Sequence, residues 1–140
     1  METKQLYADT VKSVNNHLVE YKTLISCENL LDLERVKQQL VADKAILRQI
    51  EVDASGLYLE AKDTFEWTKA QFYKEARSKG DGSLDATNEA KFASIPHSKK
   101  MHEAKCQRDK CRGLLDDLTN VIIEIQIKLK DSKQQIRYGQ

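Results

Sequence analysis

Between residues 91 and 112 stand Lys91, Lys99, Lys100, Lys105, Arg108, Lys110 and Arg112, against only Glu103 and Asp109, a local net charge of +5. His97 and His102 lie among them. Lys and Arg at this density bind a nucleic-acid phosphate backbone largely by releasing its counterions. A second run, Lys69, Lys74, Arg77 and Lys79, is interleaved with Phe65, Trp67, Phe72 and Tyr73. Cations beside aromatic faces suit a single strand, because unpaired bases stack on rings. The expected nucleic-acid contacts are therefore Lys69, Lys74, Arg77, Lys79, Lys99, Lys100, Lys105, Arg108 and Arg112. One such patch binds weakly, and a ring of copies would multiply it. The competing reading makes the aromatics core and the charges a solvated face. It leaves a helical protein-interaction module, such as an adaptor or a virus-encoded inhibitor, with no nucleic-acid binding.

Other chemistry finds little support. Cys106 and Cys111 are five apart, as are His97 and His102. On a helix such pairs diverge, and zinc sites use closer pairs. Cys111 falls on an apolar stripe and is expected to pack as a small hydrophobe. There is no glycine-rich phosphate loop with its Lys and no nucleophile elbow. Carboxylates come with basic neighbours, as in Glu34/Lys37 and Glu124/Lys128, and read as surface pairs. The expectation is a protein that is not an enzyme and uses neither metal nor cofactor.

The elements that carry these residues read as helices. The chain has 140 residues, is 32% charged, and contains one Pro and five Gly, so the backbone has few places to break. Leu6, Tyr7, Val11, Val14, Leu18, Tyr21 and Ile25 recur at helical steps and predict a helix over about 3–25. Ser26 or Asn29 could cap the next. Leu33, Leu40, Leu47, Ala54 and Ala61 are spaced by seven, with Val36, Ile50 and Leu57 between them, a coiled-coil signal. Asp43 spoils one place in that seam. This helix is expected over about 29–79, ended by Gly80 in a left-handed conformation. A connection over 80–97 holds a short helix, about 85–93, capped by Ser83 or Asp85 and closed by Pro96. The last helix, about 98–137, carries Ala104, Cys111, Leu115, Leu118, Ile122, Ile125, Leu129 and Ile136 at heptad steps.

The expected fold is all-α: one helical domain, 1–140, of long antiparallel helices in a coiled-coil-like bundle. Long, partly exposed helices give a thin core, so a homo-oligomer is expected. Its interface is placed on Leu115, Leu118, Ile122, Ile125, Leu129 and Ile136. Ile122→Asp would then dissociate the assembly. No run is long and apolar enough for a bilayer, and the N-terminus has no apolar core. With three loosely spaced cysteines, a reducing, cytoplasmic compartment and no membrane partner are expected.

The order of parts resembles the UvsY-like recombination mediators of T-even phages. The resemblance rests on the basic-aromatic helix ending in Lys79-Gly80-Asp81-Gly82, the short segment after it, and the long helix closing with Lys130, Ile136 and Arg137. It spans about residues 40–137. It implies an all-helical oligomeric ring that binds single-stranded DNA. It further implies a RecA-type recombinase and a single-strand-binding protein as partners, in a phage-infected or bacterial cell. Of the family's DNA contacts only Lys69 carries over, and Gln71 stands where the family's run has Arg.

Overall fold

The structure is a computed structural model that describes residues 2–24 and 29–138, with side chains as far as residue 134. Among them every regular element is a helix: α1 (Glu2–Leu24), α2 (Leu30–Ser78), α3 (Ser83–Ala93) and α4 (Ile95–Tyr138). The long helices pack together in two compact units. The first joins Met1–Ile50 to Cys111–Gln140, and the second is the continuous stretch Glu51–Lys110.

Local chemistry sets each helix end. The Asn29 side-chain carbonyl accepts the backbone N–H of Asp32 at 3.2 Å, capping α2. The other proposed cap, Ser26, lies outside the described residues, as does Ile25. At the far end Asp81 N–H donates to the Ala76 carbonyl and Gly80 N–H to that of Arg77, both at 3.1 Å. This Schellman arrangement needs a left-handed residue, and Gly80 supplies it at φ 97°. α3 starts earlier than expected. Gly82 occupies the N-cap without a side-chain cap bond, and Ser83 is already helical. Ser94 separates α3 from α4, and its carbonyl accepts the Ser98 N–H at 3.0 Å. α4 therefore begins at Ile95, and Pro96 sits inside its first turn rather than closing the preceding segment. Proline lacks an N–H, and the first turn of a helix needs none.

The large side chains gather in the first unit. Val14 and Tyr21 of α1, Leu33, Val36, Leu40, Leu47 and Ile50 of α2, and Cys111, Leu115, Leu118, Ile122, Ile125 and Leu129 of α4 form one buried cluster. This corrects the placement of the self-association surface. Leu115, Leu118, Ile122, Ile125 and Leu129 are covered by α1 and α2 of their own chain. The Ile136 side chain is outside the described set. Ion pairs add to the rim, with Arg35 of α2 reaching Glu20 of α1.

Asp43 belongs to this core and is only 5% exposed. Its two oxygens are held from α1, by the Ser13 hydroxyl at 2.9 Å and by His17 Nδ1 at 2.6 Å. Buried carboxylates persist only when partnered in this way. The residue that breaks the heptad thus fixes how α1 docks.

Two phenols of this unit carry a pH prediction. Burial, then the nearby Glu124 carboxylate that accepts its hydrogen bond, raises the Tyr21 pKa above the usual 10. Burial, then Cys111, raises that of Tyr7. Such a phenol contributes stability that is complete below pH 10 and is lost as pH rises through the folded value. Thermal scans should show stability falling above pH 10. A Tyr7→Phe, Tyr21→Phe double variant should flatten that decline, and an equally steep decline would contradict the assignment.

The second unit is built differently. Its buried residues are small: Ala54, Thr68, Ala76, Ala86, Ala90 and Ser94. The seam on α2 runs through Leu47, Ile50, Ala54, Tyr58, Ala61, Phe65 and Thr68, all buried or half-buried. Two successive four-residue steps, Ile50 to Ala54 to Tyr58, interrupt the heptad. Leu57 is consequently 55% exposed and not part of the seam, as its spacing had suggested. The matching stretch of α4 keeps its heptad, through Met101, Ala104, Arg108 and Cys111.

Candidate functional site

Eight of the nine basic residues assigned to nucleic acid fall in the second unit, and Arg112 falls in the first. On α2, Phe65, Lys69 and Tyr73 follow at four-residue steps and so share a face. The Lys69 ammonium lies 5.4 Å from the centroid of the Phe65 ring. Lys74, Arg77 and Lys79 are exposed. Arg77 also donates to the Asp81 carbonyl at 3.2 Å, so it supports the turn after α2.

On α4, Lys99, Lys100, Lys105 and Lys110 are exposed. Arg108 differs. Its side chain is 17% exposed and its Nε lies 3.2 Å from Asp109. Its guanidinium stacks on Tyr58 of α2, 4.6 Å from the ring centroid. A guanidinium over an aromatic face is a favourable contact, stronger where water is excluded. Arg108 thus ties α4 to α2 within this unit, and its cation is already engaged. Tyr58 is a residue that charge counting missed. Its signal was positional, a step of four from Ala54 and of three to Ala61.

Tyr58 and Phe65 sit in the seam of α2, but its other three aromatic residues are not core. Trp67 is 65% exposed, Phe72 41% and Tyr73 38%. Trp67 and Lys74 are seven residues apart, two turns, and share an outward face. A large indole left in water beside a lysine is an available stacking platform. The charges around it are mixed. Glu60, Asp63, Glu66 and Glu75 stand in the same stretch, and the second unit carries eleven Lys and Arg against eleven Asp and Glu. Residues 69–79, four bases to one acid, and 99–110, five bases to two acids, are each net +3, and most of the unit's acids lie outside them.

In the first unit an open groove of about 450 Å³ is lined by Glu34, Lys37, Leu129, Lys130 and Lys133. Lys37 is paired there with Glu34 at 3.0 Å. Among the described residues no cluster of His, Cys, Asp and Glu is arranged to hold a metal ion. No helix among them is long and apolar enough to cross a membrane. No protein-family model, curated protein or solved structure matches this chain.

Proposed function

We propose that this chain is a non-enzymatic accessory protein of recombination or replication that binds single-stranded DNA, working as an oligomer of chains whose long helices pack antiparallel. The observation that carries the reading is the exposure of Trp67 on a helix face it shares with Lys74. Trp67 stacks on bases. Lys99, Lys100, Lys105 and Lys110 supply phosphate contacts, with Lys69, Lys74, Arg77 and Lys79 as further contributors. Arg108 positions α4 rather than the strand. The resemblance to recombination mediators gives such binding a purpose, the loading of a RecA-type recombinase onto strands covered by single-strand-binding protein.

The test is fluorescence anisotropy of a labelled oligo-dT strand at low and moderate salt. Binding should weaken steeply as salt rises. Trp67→Ala should reduce affinity by roughly 5- to 100-fold, the equivalent of about 1–3 kcal/mol for a stacked base. Flat salt dependence, or an unchanged affinity in Trp67→Ala, would overturn the reading.

The equal count of acids and bases in the second unit favours one other reading, a helical module that binds protein alone. Under it Trp67 and its neighbours anchor a protein partner, as aromatic residues do at interfaces. Absence of oligo-dT binding even at low salt would select it.

A further inference from the structure

α3 is an amphipathic helix worn inside out. Its buried face consists of Ala86 and Ala90, 0% and 2% exposed. Its large apolar residues point the other way: Leu84 is 74% exposed and Phe92 78%. Ile95, 45% exposed, follows at the start of α4, just beyond the C-cap Ser94. Leu84, Asn88 and Phe92 form one outward stripe of α3 at steps of four. Packing inside the chain does not account for that choice of residues, since the side that the chain covers is lined with alanine.

We propose that this outer face of α3 is where two copies of the chain meet. The proposal rests on the assembled state proposed above and gives it a surface, in place of the α4 stripe, whose apolar residues are spent on the chain's own core. Three features favour a second copy as the occupant. The first is extent. Leu84 and Phe92 leave most of their side chains in water, an apolar patch on the order of 300 Å², a size that is often functional and that a two-fold contact would cover on both copies at once. The second is charge. Asp85 and Glu89, one turn apart, line one flank of the stripe, and Lys91 lines the other. A two-fold axis along the helix brings the acidic flank of one copy against the Lys91 flank of the next, and the reverse, so the surface complements itself. The third is Asn88, the polar residue within the stripe. At a two-fold seam an asparagine pairs with its own counterpart and sets register.

Light scattering on the full chain after gel filtration tests this directly. The wild type should show a mass at an even multiple of 16.1 kDa. Leu84→Asp and Phe92→Asp should each lower it, with helical circular dichroism retained because both sites are exposed on the single chain. As a second measurement, Asn88→Cys in a Cys27→Ser, Cys106→Ser background should form an intermolecular disulfide under mild oxidation, and the same background with Asn88 should not. A wild type at 16.1 kDa at every concentration would overturn both the surface and the assembly. An oligomer unaffected by either aspartate, or without the Asn88→Cys cross-link, would overturn the surface and leave the assembly standing. Oligo-dT affinity of the same variants is read separately, so failure of DNA binding is not mistaken for failure of this interface.

Discussion

Ile122→Asp should cost the first unit on the order of 4–5 kcal/mol, the loss of a buried aliphatic side chain compounded by an unpaired charge. Ile122 is 7% exposed and lies in the cluster shared by α1, α2 and α4. For a unit of this size each kcal/mol moves the melting temperature by roughly 4–8 °C, so a drop of about 20 °C or more is expected. Ile123, the next residue, is 47% exposed. Ile123→Asp should move stability by no more than about 0.5 kcal/mol. The contrast between neighbours makes the test sharp. If the stripe were a surface between copies, Ile122→Asp would lower mass and spare the helical content of the monomer. Thermal scans that rank the two variants equally would contradict the packing described here.

The second large effect concerns Asp43. Removing both of its partners, Ser13→Ala with His17→Ala, leaves a buried carboxylate without donors and should cost about 3–5 kcal/mol. Asp43→Leu should behave in the opposite sense. It removes the charge and fills the seam between Leu40 and Leu47, and such replacements range from neutral to stabilising by about 1–4 kcal/mol. Chemical denaturation of the two variants would separate them. If Asp43→Leu proved as damaging as the double variant, the carboxylate would be contributing net stability rather than specifying how α1 sits. A native melting profile in the double variant would remove the cluster from the structural account altogether.

Much of this architecture was legible as spacing. The heptads Leu33–Leu47 and Cys111–Leu129 identified the buried stripes, and Gly80 and Asn29 marked helix ends for stated chemical reasons. Periodicity reports that a face is covered, however, and not by whom. The stripe on α4 could belong to a copy or to α1 and α2, and only the placement of α1 decided it. Asp43 read as a defect because its partners, Ser13 and His17, lie on another helix, far away in sequence. Leu57 was misplaced because one extra four-residue step rotates everything after it, and Tyr58 takes the seam instead. For the candidate site, charge and aromatic content pointed to the right segment. They could not distinguish Arg108, stacked on Tyr58, from the exposed lysines beside it, nor say that Trp67 faces water.

The route of the chain through the first unit has a consequence for its birth on the ribosome. The core needs residues 30–50 and residues 111–129 together, and the whole stretch Glu51–Lys110 is made in between. Until the last helix emerges, Leu33, Val36, Leu40, Leu47 and Ile50 lack the α4 side of their core. Closing so long a loop costs chain entropy before any of that burial is realised. The nascent chain therefore presents an incomplete apolar seam for most of its synthesis, a natural substrate for holdase chaperones. The alanine-lined unit is contiguous in the chain, so it needs nothing made after Lys110 and can assemble while the first unit is still unfinished.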